Sequence, residues 1–373
     1  MQLNQRYIKL KSYIATTFLK RFIESIFFFF VLIFFINFIE HNSQAKNSDI
    51  AVSKIIAIAF YATPAMLDDI APSIVMLAAI ITFFLLSSRS EITIMRSSGL
   101  SLWQIIQPAI VTAFLLGILW VTTLNPIAIA MAKTSEAIQT KYLDKEDEEY
   151  IAPRNGIWLK QPSLNDSQEE IIIRSQKTYR RSLEMRNVSA WFVNASGEFY
   201  KRIDAKSMFF YDGFWLMQDV LISDSQNINS IRKAYTIPTS LNSDFIGQTV
   251  LNSFNNPSNF SIFELPDLIK NLKLAGFPTN KFEIHLHKLF NKPLLFVAMT
   301  IIACYFAINH IRKNNAAIMI FCGIALGLIL YITSQLLSAL GSSGVIPVFV
   351  TTWTISFVYL AIAVLLIYRK ETA

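Results

Sequence analysis

The feature that most constrains this chain is a set of long apolar blocks near its two ends. The most demanding is the block at residues 316–337, which carries no charged residue on any face. A helix at the surface of a soluble protein has one apolar stripe and one polar stripe. A helix that crosses a bilayer core needs roughly 20 predominantly apolar residues. The block therefore predicts a transmembrane helix rather than a buried helix of a soluble protein.

Five further blocks of this kind bring the predicted number of membrane spans to six. Charged residues make up only 16% of the sequence, against roughly 25% in soluble domains. The first block is too long for a cleavable signal peptide, and no small-x-small site follows it. We therefore expect it to remain as the first membrane helix. The five blocks are residues 22–39, 70–86, 105–124, 293–308 and 348–368.

Basic residues concentrate on one side of these predicted spans. Lysine and arginine collect on cytoplasmic loops, and short loops carry most of this signal. Both chain termini are therefore predicted to be cytoplasmic, which also explains much of the net charge of +7 without a nucleic-acid partner. The short loops of the opposite side hold only Lys46 and Lys54. The predicted cytoplasmic residues are Arg6, Lys9, Lys11, Lys20, Arg21, Arg89, Arg96, Arg312, Lys313, Arg369 and Lys370.

The segment between the third and fourth spans has the composition of a soluble domain, and the topology places it outside the cytoplasm. Short β-like runs alternate with turn residues such as Gly197 and Asp212-Gly213, where hairpin turns are expected. Many short strands at this spacing predict a sandwich or a jelly roll. Beyond it, Ser261 and Glu264 have the spacing of a capping box. They predict a helix to about residue 275 at the membrane surface.

The sequence holds no pattern that indicates an enzyme. None of the 11 glycines begins a GxxxxGK[ST] phosphate-binding loop. His285 and His287 are two residues apart, so they lie on different sides of a helix and predict no metal site. The pair Asp68-Asp69 precedes the block at 70–86 and is expected to mark the membrane–water boundary. We therefore expect neither a catalytic centre, nor a metal, nor a cofactor.

The loop between the second and third spans is the most informative segment. Residues 91–98 have a helical pattern, with Ser90 as a possible N-cap and Gly99 as a stop. Ile92 and Met95 lie on one face of this short amphipathic helix. It could dock into a groove on a cytoplasmic partner, or it could rest on the lipid surface. The residues alone leave both interpretations open.

At this loop the sequence resembles a known family. Residues 89–99 (RSEITIMRSSG) resemble the coupling segment of the LptF/LptG family, the permease subunits of the lipopolysaccharide export transporter. The similarity extends to Arg6-Tyr-Ile, to GIWLK at 156–160 and to HKLFNKP at 287–293. The order of three spans, β domain and three spans also fits. Residues 156–158 and 291–293 are more similar to LptG than to its paralogue LptF.

The resemblance implies a transport subunit in a bacterial inner membrane, with its β-jellyroll domain in the periplasm. Members pair with an LptF-like paralogue, and two LptB-like ATPases hydrolyse the ATP. The cavity between the two permease subunits takes up lipopolysaccharide. The β domains join a bridge of LptC-like and LptA-like proteins towards the outer membrane. The chain itself is therefore expected to be non-catalytic.

The resemblance also implies two groups of site residues. Glu91 matches the coupling glutamate that faces the ATPase, and the other expected ATPase-coupling residues are Arg89, Met95, Arg96 and Gly99. Lipopolysaccharide is expected at Lys46, Lys133 and Asn37, of which Lys133 matches a basic position of the family. The region around Asn37 has fewer lysines than some relatives. The partner permease could supply the charge, or the lipid A could carry fewer phosphates.

The sequence thus predicts a polytopic α-helical membrane protein of six transmembrane helices with an inserted extracytoplasmic β-jellyroll domain. Two alternatives stay open. A mechanotransmitter-type ABC permease commonly has four spans, against six here. A proton-coupled transporter needs carboxylates deep in its spans, and only Glu24, near the end of the first span, is expected there. The predicted domains are 1–125 with a coupling helix at about 90–99, 126–260 as the β domain, 261–292 as an interfacial helix and re-entry, and 293–373.

Overall fold

The computed structural model divides the chain into two compact units. One contains Met1–Gln139, Phe260–Phe263 and Asn280–Ala373, and the other contains Thr140–Asn259 and Glu264–Thr279. Lys46, Gly156, Gly197 and Asp212 lie outside the described residues. The described residues are 2–45, 50–142, 149–151, 157–162, 169–179, 184–194, 199–211, 213–224, 230–239, 257–274, 279–309 and 316–372.

The first unit is a bundle of long helices. Within the described ranges, six helices are long and apolar enough to cross a membrane, which confirms the predicted number of spans. In chain order the α-helices are α1 Gln2–Gln44, α2 Val52–Ser88, α3 Glu91–Ser97, α4 Leu102–Leu119, α5 Asn125–Tyr142, α6 Leu265–Leu274, α7 Asn280–Asn309, α8 Ala316–Ser342 and α9 Val348–Thr372. Of these, α6 belongs to the second unit.

The third span is longer than the sequence predicted. A π-helical turn, Trp120–Leu124, joins α4 to α5 without a break, so the domain boundary predicted after residue 125 falls inside a helix. Pro126 follows directly on the π-helical turn, where the regular bonding between residues i and i−4 is already interrupted, so the helix continues past it. The helical unit accordingly extends to Gln139.

The second span also begins earlier than predicted. Helix α2 starts at Val52 and contains Pro64 and Pro72, so Asp68 and Asp69 lie in its middle and do not precede the helix. Since this helix of 37 residues is longer than the roughly 20 residues that cross a bilayer core, the membrane–water boundary at the two aspartates stays a prediction. A carboxylate within a membrane helix is tolerated where it faces the bundle and is paired.

Helix α2 is the central helix of the bundle. Its most apolar window is 61% buried inside the protein, whereas the corresponding windows of α1 and α8 are only 17% buried. Phe18 of α1, Phe83 of α2 and Phe296 of α7 are fully buried in one continuous apolar core. Phe27 and Phe28 of α1 point outwards and are mostly exposed, as expected for a helix face in contact with lipid. The core therefore holds α1, α2 and α7 together.

The second unit contains an antiparallel sheet, which confirms the β domain inserted between helices. Strands β3 to β7 follow one another as neighbours in chain order, and both β1 and β2 pair with β3. Side chains of β5 alternate in burial from Ile203 to Ala205 and again from Met208 to Phe210, which is typical of a sheet that covers a core on one face. The strands are β1 Glu149–Ile151, β2 Ile157–Pro162, β3 Glu170–Tyr179, β4 Glu184–Val193, β5 Phe199–Tyr211, β6 Phe214–Asp224 and β7 Ser230–Pro238.

The sheet curls so that its early and late strands meet. The amide of Gln161 on β2 donates to the carbonyl of Pro238 at the end of β7 (3.0 Å), and its oxygen accepts from the hydroxyl of Thr239 (2.8 Å). The same oxygen accepts from the indole N–H of Trp215, which is fully buried. One glutamine thus joins strands that the path through the sheet keeps apart.

Helix α6 begins later than the predicted capping box. Its first residue is Leu265, and the backbone N–H of Leu268 donates to the carbonyl of Glu264 at 3.1 Å. Had Ser261 been the N-cap, Pro266 would stand where a backbone N–H is needed by the helix. Starting at Leu265 places this proline in the first turn. The helix ends at Leu274, and the predicted end at about residue 275 lies outside the described residues.

Candidate functional site

The short helix α3 is closed at its C-terminal end by a glycine. Gly99 has φ +91°, and the N–H groups of Gly99 and Leu100 donate to the carbonyls of Arg96 (2.9 Å) and Met95 (3.2 Å). These two bonds form a Schellman motif, so the predicted stop at Gly99 is confirmed. Ser90 precedes the helix, but its side chain makes no capping bond. Its φ of 59° is left-handed, whereas an N-cap side chain reaches the first turn from extended backbone.

The apolar face of α3 packs against the protein's own helices. Ile92 and Met95 are only 3% and 8% exposed and belong to the core of the bundle. The outer face presents Thr93 and Ile94, and Ile94 is 64% exposed. The face that the sequence suggested for docking is therefore occupied, because a seven-residue helix between two long helices needs an apolar anchor. Any partner would contact the opposite face.

Glu91 is connected to the first helix. The phenol of Tyr13 in α1 donates to Oε1 of Glu91 at 3.2 Å. Glu91 lies in the first turn of α3, where a carboxylate is favoured by the positive end of the helix dipole. Arg89 and Arg96 are exposed on either side. Sequence reasoning missed Tyr13 because it lies 78 residues away and carries no local signal.

Two sets of hydrogen bonds fix the start of α4. Ser101 and Gln104 form a capping box, in which each side chain accepts from the other residue's backbone N–H. The next backbone N–H, at Leu102, donates to Oε2 of Glu371 near the end of α9 at 3.0 Å. The loop that carries α3 is thus joined to the last helix. A displacement of α3 would be passed to α4 and α9 as well as to α2.

A polar cluster lies inside the bundle, at the middle of α2. The ammonium of Lys292 in α7 is 2.5 Å from Oδ1 of Asp68 and also donates to the backbone carbonyl of Asp68 at 3.2 Å. The indole of Trp120 donates to Oδ1 (2.6 Å), and the amide of Asn125 donates to Oδ2 (3.4 Å). Asp68 lies inside the helix bundle, two residues before the predicted span at 70–86. Lys292 therefore neutralises the carboxylate of Asp68 inside the bundle.

The residues predicted for lipopolysaccharide occupy different environments. Asn37 is fully buried, and its amide donates to the hydroxyl of Thr63 in α2 at 3.2 Å. Lys133 is exposed on α5, and its ammonium lies 5.8 Å from the centre of the Phe260 ring. Lys46 lies outside the described residues. In the part of the chain that the structure describes, no three His, Cys, Asp or Glu side chains form a metal-binding group.

Comparison with known proteins agrees with this architecture. Residues 12–369 match the family described as lipopolysaccharide export system permease LptF/LptG. The chain is 24% identical over 312 residues to lipopolysaccharide export system permease protein LptG of Escherichia coli (strain K12), covering 80% of this chain and 81% of the relative. It is 23% identical over 284 residues to LptG of Haemophilus influenzae, covering 74% of each chain. Since the family match spans nearly the whole sequence, the chain belongs to the LptF/LptG family of lipopolysaccharide export permeases.

Proposed function

We propose that this chain is an LptG-like subunit of an ATP-driven transporter. The transporter extracts lipopolysaccharide from the inner membrane and passes it through the β domain towards the outer membrane. The observation that carries this proposal is the family match over residues 12–369. The partners would be an LptF-like permease, two LptB-like ATPases, and LptC-like and LptA-like bridge proteins. Both termini would be cytoplasmic and the sheet periplasmic.

The geometry of α3 supports a role in coupling to the ATPase. Ile92 and Met95 anchor the helix in the bundle, while Glu91 and Ile94 remain accessible from the opposite side. A helix that is packed on one face and exposed on the other can pass a movement of the ATPase on to the bundle without changing its own shape. In this proposal Glu91 contacts a cationic group of the ATPase, and Arg89 and Arg96 flank that contact. Met95 and Gly99 hold the helix in shape.

Three other residues, Lys133, Lys46 and Asn37, are proposed to act on the transported lipid. Lys133 is exposed and could meet a lipid phosphate as a point charge, with Lys46 as a second candidate. Asn37 would act indirectly, because its amide joins α1 to α2. ATP would bind to the partner ATPases, and the residues that hydrolyse it would be part of those subunits.

The test is replacement of Glu91 by alanine in the full complex. The lost contact with Tyr13 is partly exposed, so we expect assembly of Glu91→Ala to be normal. A charge-assisted hydrogen bond to the ATPase would contribute about 1.5–3 kcal/mol, so lipid release driven by ATP should fall about tenfold or more. Tyr13→Phe, which leaves the carboxylate in place but unsupported, should give a smaller loss.

Glu24→Ala is the matched control, because it removes the same charge from an exposed ion pair with Arg21. It should leave both assembly and lipid release unchanged. Normal lipid release from an assembled Glu91→Ala complex would refute the coupling role of α3. A complex that forms without any ATPase, yet still releases lipid, would refute the proposed transporter.

A further inference from the structure

The polar cluster lies at a point where the backbone of α2 is interrupted. Pro72 has no N–H, so it leaves the carbonyl of Asp68, four residues earlier, without its helical hydrogen bond. The ammonium of Lys292 donates to that same carbonyl at 3.2 Å while it pairs with the Asp68 carboxylate. Lys292 therefore satisfies both the charge and the open backbone group of one residue.

The two helices that face Asp68 are interrupted beside it. The π-helical turn begins at Trp120, which donates to Asp68, and ends just before Asn125, which donates as well. Pro293 follows Lys292 in α7 and packs so closely on Gly117 of α4 that no side-chain carbon fits between them. Prolines and π-turns are the usual sites of sharp bends in helices. The regular backbone hydrogen bonding of three helices is thus interrupted around one ion pair.

A cavity of about 100 Å³ adjoins this ion pair. Among the described residues, three buried polar atoms that line it have no hydrogen-bond partner: Nε2 of His285, Oδ1 of Asn291 and Oγ of Ser356. Asn291 and Ser356 are only 5% and 1% exposed. A cavity with two or more such groups takes up water, and about 10–15 Å³ suffices for one molecule. The site therefore fits a small cluster of water molecules.

The charges around the cavity exclude a simple ion site. Asp68 and Lys292 neutralise each other, and Asp69 and Lys288 add one charge of each sign at its lining. A bound cation or anion would therefore meet as much repulsion as attraction. Water is neutral and both donates and accepts hydrogen bonds, so it suits a lining that contains an amide oxygen, a hydroxyl and an imidazole.

We propose that Asp68 and Lys292 are positioning residues that form a releasable lock at a hydrated hinge shared by α2, the third span and α7. This proposal rests on the proposed transport function. In dry hydrocarbon, separating two charges is prohibitively costly. Water in the adjoining cavity solvates each charge as the pair opens, so the three interrupted helices can bend and close again. The lock holds the resting arrangement between transport events.

The first test removes both charges of the lock. The double variant Asp68→Asn/Lys292→Met keeps an acceptor for Trp120 and the length of the lysine side chain. We expect normal assembly and continued ATP hydrolysis, but at least a tenfold loss of lipid released per ATP. Arg21→Gln/Glu24→Gln neutralises an exposed ion pair and should change neither. Normal release per ATP by the double lock variant would overturn the proposal, since a purely structural ion pair predicts that result.

The second test measures water in the cavity and needs neither ATP nor lipid. In a full-length chain without native cysteines, Ser356→Cys and Ser334→Cys should react with a small hydrophilic thiol reagent in native membranes. Thr300→Cys, at a fully buried position outside the cavity, should not react. Failure of both cavity positions to react would overturn the hydrated hinge, even if the double variant cannot be assembled. If the wild-type complex releases no lipid, the proposed function fails, and labelling alone then decides on the hinge.

Discussion

Replacing Gly117 by alanine tests how closely the third span and α7 must approach. A Cβ atom at this position would lie 2.5 Å from Cα and 3.0 Å from Cβ of Pro293, whereas carbon atoms pack at about 3.5–4.0 Å. The obstacle is backbone, so the two helices must move apart by about 1 Å. Overpacking of this kind costs about 1–3 kcal/mol, and alanine recovers about 1 kcal/mol in helix propensity. The net destabilisation should therefore lie between about 0 and 2 kcal/mol, whereas without the steric conflict alanine would stabilise the helix by about 1 kcal/mol.

The assay is reversible unfolding of the purified full-length chain in mixed micelles. The midpoint and the slope of the transition give the free energy of unfolding. Gly327→Ala is the matched control. Its Cβ would lie 2.6 Å from Oγ of Ser73, but that hydroxyl can rotate away, so the loss should be less than half as large. If Gly117→Ala is more stable than the wild-type chain by about 1 kcal/mol, the value expected from helix propensity alone, the close approach to Pro293 does not limit the packing, and the steric argument is refuted.

Two further substitutions test smaller features by the same unfolding assay. Gly99→Ala meets no atom within 4 Å, so the left-handed backbone alone should cost about 1–2 kcal/mol, and Gly99→Asn should cost less; equal stability of all three would contradict the argument. Trp215→Phe removes the indole donor to Gln161 and leaves a cavity at a fully buried position, so it should destabilise the β unit by more than the roughly 0.5–1.5 kcal/mol of the hydrogen bond alone; no change would contradict both arguments.

The membrane spans could be predicted because their signal is local. A run such as residues 316–337 has only one stable environment, whatever the rest of the chain does. The β unit was also predictable, since its short runs and turn residues repeat along the segment. The beginning of α2 was not, because hydropathy treats Asp68 as an interruption. Its partner Lys292 is 224 residues away in the sequence, and nothing near either residue indicates the pairing.

At the candidate site, too, only features with a local sequence signal could be predicted. Gly99 could be identified as a helix stop because glycine is the residue that adopts a left-handed backbone without strain. The outer face of α3 could not be identified, because the sequence cannot tell which side of a short helix its own neighbours will cover. The contact of Tyr13 with Glu91 and the contact of Glu371 with Leu102 depend on where two long helices end. The packing of the bundle determines where those helix ends lie.

The separation of Asp68 and Lys292 in the sequence has a consequence for biosynthesis. Ribosomes add about 5–20 residues per second, so the 224 residues between these two positions take about 11–45 s to make. During that interval the carboxylate of Asp68 has been made, but the lysine that neutralises it does not yet exist. The helices around Asp68 therefore lack this partner until α7 has been synthesised. The ion pair thus makes the folding of the N-terminal half dependent on synthesis of the C-terminal half.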